Sequence, residues 1–180
     1  MKITVLVDNN TLIDRYLFAE PGLSLLLEDE ETKVLFDTGF SGIFLTNALK
    51  LGISLTDLDY LVLSHKHLDH TWGLVSLIEH LTGMDIDEQG LNYPSVVAHP
   101  DVFTSVSGGE FRELGCLLSE AKLARHFPLQ LSTKPQKLSS RLTFLGEIPR
   151  RNDFEAGLSF GYRQGSNEAD PVVDDSALVY

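Results

Sequence analysis

Cysteine is nearly absent: Cys116 is the single one in 180 residues. That excludes an intrachain disulfide and any metal site built from clustered thiolates. Basic residues are scarce, with 14 Lys and Arg against 26 Asp and Glu, and the formal net charge is -12. The deficit argues against a nucleic-acid backbone or an anionic membrane as a general partner. A small anionic substrate stays open, because a bound metal ion reverses the field locally. Long hydrophobic runs are missing: no stretch approaches the roughly 20 apolar residues of a spanning helix. The opening MKITVLVDNN meets Asp8 too early for a signal peptide. There is no GxSxG elbow and no Walker-type phosphate loop, so neither a serine nucleophile nor a nucleotide cradle is marked. The expectation is a cytoplasmic protein with neither nucleic acid nor membrane as partner.

What is present suits one domain over residues 1–180. The chain is 43% hydrophobic and 22% charged, a globular composition at a length that supports a real core. KITVLVD (2–8) reads as a strand, and GLSLLLE (22–28) and KVLFD (33–37), joined by the polar DEET, read as a hairpin. SGIFLTNALKLG (41–52) reads as a helix with Ser41 as cap and Gly52 as stop. DYLVLS (59–64) is a short continuous apolar run, as in a strand covered on both faces. A helix over 73–81, a strand SVVAH (95–99), a helix 116–127 closed by Pro128, and strands at 141–148 and 176–180 follow. Residues 149–175, rich in Gly, Asp, Asn and Arg, read as loop. Strands that begin as a meander and then alternate with helices predict α/β layers.

The run LSHKHLDH (63–70) holds three of the six histidines, and lies on a strand-to-helix turn. Such turns are where layered α/β folds place their chemistry. Histidine is the commonest nitrogen ligand for zinc-like ions, and aspartate adds an oxygen. Residues two apart in an extended chain point the same way, so His65 and His67 are placed to grip one ion together. Asp69 and His70 follow the turn and are placed to face a second ion, and paired ions clamp both ends of a displacement reaction. The plain alternative is a solvated polar turn.

HKHLDH resembles the His-x-His-x-Asp-His signature of the metallo-β-lactamase fold superfamily. LFDTG (35–39) resembles that superfamily's first motif, an aspartate at the end of a hairpin strand. VLVDNNT, AEPGLSLLLE, LSHKHLDHTWGL, AHPDVF, LGEIPRRNDFE and DDSALV together look like a narrower archaeal and bacterial group of metal-dependent hydrolases. That group includes the dihydropterin ribofuranosylaminobenzene-phosphate synthase of methanopterin biosynthesis. The resemblance implies an αββα sandwich with metals at one edge of the sheets. It implies His65, His67, Asp69 and His70 as metal ligands and Asp37 as the group that orients them, as a carboxylate on a histidine N–H does. Asp37 read without the resemblance is a turn residue beside Gly39.

Against the group's pattern, Trp72 stands where a glycine is common, and is expected to crowd the turn and line the pocket. The group's pattern continues past DDSALV to further histidines, so the chain is expected to hold the N-terminal part of the fold, its second half truncated. That leaves Asp175, beside Asp174, as a further ligand candidate, with an acidic turn as the alternative. His99, ending a strand, is a candidate catalytic group with Asp69; the alternative is a plain strand-end turn. His80 reads as a surface residue, and His126 as a cation at a helix end. Cys116 reads as core on its helix.

The expected function is a metal-dependent hydrolase with two divalent ions, zinc first and iron or manganese as substitutes, since mixed His and Asp sites accept several. A second expectation is group transfer from a dihydropterin diphosphate to an aryl ribose phosphate, with Arg150 and Arg151 meeting phosphate oxygens of a small, phosphorylated substrate. A solvated loop pair is the alternative for both arginines. A third is a metal-binding fragment or subunit without turnover, completed by a homodimer partner or a complementing chain.

Overall fold

The computed structural model describes residues 1–29, 32–88, 90–153, 159–166 and 168–180. Three strands open the chain, β1 (Lys2–Val7), β2 (Ser24–Asp29) and β3 (Thr32–Phe36), paired as an antiparallel meander. The helix α1 (Ile43–Lys50) then carries the chain to β4 (Tyr60–Val62), which lies parallel to β3. A short turn of helix α2 (Leu68–Thr71) and the longer α3 (Leu74–Glu88) lead to β5 (Ser95–Ala98), parallel to β4. After β6 (Val106–Ser107) and α4 (Glu120–Leu123), β7 (Leu129–Leu131) closes a six-stranded sheet in the order β1-β2-β3-β4-β5-β7. The strands β8 (Gln136–Lys137), β9 (Thr143–Phe144) and β11 (Leu178–Val179) form a second sheet. β10 (Tyr162–Arg163) pairs with β6.

The strands β2 to β5 are buried on both faces, and their sequence alternates accordingly. Leu26, Leu35, Leu61, Val96 and Ala98 face the helices and pack with Phe44 and Ala48 of α1 and Leu74, Leu77 and Leu81 of α3. The residues one step along, Leu27, Val34, Val62 and Val97, face the small sheet and pack with Leu138, Leu142 and Phe144. On α3 the buried leucines fall at i, i+3 and i+7, one stripe of a 3.6-residue period. The layers are thus helix, large sheet, small sheet; among the described residues no helical layer covers the small sheet's outer side. No helix among them is long and apolar enough to cross a membrane.

Several expectations need correction. The helix expected over 116–127 is only α4, because Ser119 caps it late, its side chain accepting from the Lys122 N–H. Cys116 is buried but lies outside it. The helix expected over 73–81 runs on to Glu88. The strand expected over 141–148 ends at Phe144, and Gly146, at a φ of 71°, turns the chain. Most of 149–175 is loop, but Tyr162–Arg163 pairs with β6. The hairpin tip at Glu30 and Glu31, and Phe154 and Glu155 at the end of LGEIPRRNDFE, lie outside the described residues.

Candidate metal centre and cavity

The parallel strands β3, β4 and β5 end on one edge of the large sheet, and the polar turns cluster there. Asp37 follows β3 with a φ of 59°, a left-handed conformation that aspartate tolerates better than most residues. Its backbone N–H donates to Val62 O at 2.8 Å and its carbonyl accepts from Ser24 Oγ at 2.9 Å, so the strain is held from both sides. The next strand end delivers Ser64 and His65. Two glycines allow the turns to nest. A Cβ on Gly73 would stand 2.1 Å from Thr38 O, and one on Gly22 would stand 2.2 Å from Asp69 O. The approaches they permit are hydrogen-bonded: Thr38 N–H donates to His70 O, and Leu23 N–H to Asp69 O.

Asp37 is fully buried and works as an acceptor for three donors. Oδ1 accepts from the Ser64 N–H at 2.7 Å, and Oδ2 from the Ser64 hydroxyl at 2.6 Å. Oδ2 also lies 2.8 Å from His70 Nδ1. A carboxylate has no proton to give, so His70 carries its proton on Nδ1 toward Asp37. Ser64 spends its only proton on Asp37. Its oxygen, 2.9 Å from His65 Nδ1, is then left to accept, and the His65 proton sits on Nδ1. One carboxylate therefore turns the Nε2 lone pairs of both histidines away from itself. Ser64 was not singled out in the sequence, although a hydroxyl beside a histidine motif is the signal that marks such a bridge.

The rings cluster, His65 lying 4.7 Å from His67 and 4.2 Å from His70, centroid to centroid. Burial, then the charges of His70, His67 and Lys66, push the His65 pKa down to about 2. Burial also lowers that of His67. For His70 burial works in the same direction, but the hydrogen bond and charge of Asp37, with Asp69 and Asp175, raise it above its ordinary value.

His65 and His67 stand in the wall of a cavity of about 480 Å³, with Arg150, Arg151, Phe160, Val172 and Asp175 among its lining. Phe160 meets the His67 ring edge-on at 5.8 Å. Arg150 Nη2 donates to Val172 O at 2.9 Å, which ties two sides of the lining together. The arginines and Asp175, singled out far apart in sequence, thus meet the histidine turn in space. Asp174, their neighbour, is buried and turned inward, its Oδ2 accepting from the Lys66 N–H at 2.7 Å. Asp69 lies beside His70, Oδ2 to Nε2 at 3.5 Å.

His99 and Trp72 are placed otherwise. His99 Nδ1 accepts from the Asp101 N–H at 3.1 Å, capping the 3-10 turn Pro100–Phe103, and His99 is not among the cavity's lining residues. Its nearest ionic neighbour is Glu147, at 3.7 Å. Trp72 does not line the cavity; its indole N–H donates to Gly115 O at 2.8 Å and its ring stacks on Phe40. His126 is exposed, and His80 borders a separate groove beside α1.

The donors suit a zinc-like ion in kind. Two neutral imidazoles share the cavity wall, and His67 Nε2 is buried with no hydrogen-bond partner, which a bound cation would supply. Among the described residues, however, no three His, Cys, Asp or Glu side chains are drawn together in ligand geometry.

The layered fold places the histidine turn at the ends of parallel strands, and residues 17–83 match the family described as the metallo-beta-lactamase superfamily. Over that stretch the chain is similar to that superfamily. It is 32% identical over 179 residues to an uncharacterized protein of Methanocaldococcus jannaschii, covering 98% of this chain and 65% of that one. It is 29% identical over 196 residues to the same organism's 7,8-dihydropterin-6-methyl-4-(beta-D-ribofuranosyl)-aminobenzene-5'-phosphate synthase, covering 99% of this chain and 63% of that one. The chain thus spans slightly less than two thirds of the length of these relatives. The crystal structure of a metal-dependent hydrolase of the beta-lactamase superfamily superposes with a TM-score of 0.71 at 24% identity, over 98% of this chain and 59% of that one. The likeness to that structure is one of fold.

Proposed function

We propose that the protein is a metal-dependent hydrolase whose histidine turn holds two zinc-type ions at the wall of the cavity. The observation that carries this reading is the buried, unpartnered Nε2 of His67, beside His65, on a cavity large enough for a small molecule. His65, His67, Asp69, His70 and Asp175 are the proposed ligands, with Asp37 holding the proton positions of His65 and His70. When bound, such ions act as Lewis acids and lower the pKa of water to about 7. The chain's own residues do the rest. Phe160, Ile148 and Val172 give an apolar lining, and Arg151 offers a cation to an anionic substrate group. Ester, lactone, thioester and phosphoester bonds are the substrate classes proposed for water attack.

A second reading, group transfer to or from a phosphorylated substrate, is favoured by the two arginines on the cavity wall and by the name of the synthase relative. Elemental analysis of purified, monodisperse protein tests the metal reading. About two ions per chain, falling to one or fewer in His67→Ala, is the expected result; equal metal in both proteins refutes it. Assays with paired phosphorylated and neutral esters then separate the two readings.

A further inference from the structure

Lys66 stands between two histidines that face the cavity, and its side chain runs the other way. It is fully buried, among the largest side chains that are. Its Nζ lies 3.0 Å from Asp101 Oδ2, 3.0 Å from Asp170 Oδ2 and 2.7 Å from Asp174 Oδ1. Arg163 joins the same cluster: Nη2 is 2.7 Å and Nη1 3.2 Å from the Asp101 carboxylate, and Nε is 3.2 Å from Asp170 Oδ1. An ammonium out of water is tolerated only with such partners, and these come from two separate segments, Asp101 after β5 and Asp170 with Asp174 in the loop before β11.

The second of these also builds the cavity. The Phe160 N–H donates to Asp170 O at 3.0 Å, and the Phe160 ring sits on His67. The Val172 N–H reaches Asp170 Oδ1 at 3.4 Å, and the Asp175 N–H donates to Val172 O at 3.3 Å. Asp174 receives the backbone N–H of Lys66 itself, so the peptide between the two histidines is pinned to the loop that bears Asp175. We propose that Lys66 is a positioning residue: its ammonium, through Asp170 and Asp174, sets the His65–His67 wall against the wall bearing Phe160, Val172 and Asp175. Lys66 touches no substrate in this role. It fixes how far apart the donors on the two segments stand, a distance to which metal affinity and cavity shape are both sensitive. Its effect on metal affinity rests on the metal reading above; its effect on the two walls does not.

The test compares wild type, Lys66→Met and Lys66→Arg by two readouts. One is the NMR cross peak between the His67 and Phe160 rings in metal-free protein. The other is the affinity and visible spectrum of added Co²⁺ alone. Lys66→Met is expected to lose the cross peak, weaken Co²⁺ at least tenfold and shift its absorption bands, while Lys66→Arg recovers the affinity to within threefold of wild type. A folded Lys66→Met that keeps the cross peak and binds Co²⁺ within twofold of wild type overturns the proposal. Should Lys66→Met not fold, Asp170→Asn replaces it. That variant keeps the side-chain shape and leaves Lys66 with Asp101 and Asp174; an unchanged cross peak and affinity there overturn the proposal equally. Should wild type itself bind no Co²⁺, the metal reading falls, and the cross peak alone decides: its loss supports the role of Lys66 and its retention refutes it.

Discussion

Replacing Ser64 by alanine removes one oxygen and one proton from the bridge between Asp37 and His65. Asp37 Oδ2 loses the donor at 2.6 Å, and His65 Nδ1 loses its partner at 2.9 Å. A hydrogen bond to a charged group contributes about 1.5–3 kcal/mol, and a buried donor left unmade costs about 1–3 kcal/mol. The two losses share one atom and do not add fully, so a destabilisation of about 2–4 kcal/mol is expected. The sharper consequence is for His65. Without an acceptor at Nδ1, its proton moves to Nε2, the nitrogen that must be bare to bind a cation. Outer partners of this kind are worth about 10–100-fold in metal affinity. Long-range ¹H–¹⁵N correlation on metal-free protein reads the tautomer, and competition with a chromophoric chelator reads zinc affinity. Ser64→Thr, which keeps the hydroxyl, serves as control. If Ser64→Ala leaves the His65 proton on Nδ1 and zinc affinity within threefold, the proton assignment is wrong.

Gly73→Ala forces a Cβ toward a backbone oxygen 2.1 Å away. It should cost about 3 kcal/mol, seen as a midpoint lowered by about 6–12 °C in thermal melts. Asp101 supplies a pH dependence. Burial alone would raise its pKa, but the hydrogen bonds from Lys66 and Thr104 and the charges of Lys66 and Arg163 hold it below the ordinary value. Its contribution is therefore full above the unfolded carboxylate pKa of about 3.9 and is lost as the pH falls through the folded value. Asp101→Asn should be less stable than wild type at pH 7 and show a shallower fall in midpoint between pH 5 and 3. Arg151→Ala should raise KM for a phosphorylated ester at least fivefold while metal content stays unchanged; an equal rise with a neutral ester removes the anion-binding role.

Five of the large sheet's six strands were legible, β7 being missed; their apolar residues alternate between two faces, and Leu26 and Leu27, or Val34 and Leu35, obey that alternation residue by residue. The short strands were not. β6, β8 and β10 are two residues long and owe their pairing to contacts that a local window does not contain. At the site, the histidine motif was plain because its chemistry is packed into six residues. The parts acting across long sequence separations were hidden. Lys66 meets Asp170 and Asp174 more than a hundred residues later, and nothing near Lys66 in sequence announces them. His99 stands apart for a related reason: a strand-end histidine is a fair site candidate, and here its Nδ1 is taken up by a neighbouring backbone N–H.

The opposite headings of Lys66 and its two histidine neighbours have a genetic consequence. Side chains here alternate, so gaining or losing one codon between the end of β4 and Leu68 would exchange the two populations. An ammonium would then enter the cavity, and an imidazole would be thrust among Asp101, Asp170 and Asp174, where it matches neither the reach nor the charge of the lysine. The length of this stretch is therefore as tightly fixed as its residues. Natural insertions that vary the protein should collect elsewhere, in loops whose side chains are not divided between two incompatible environments.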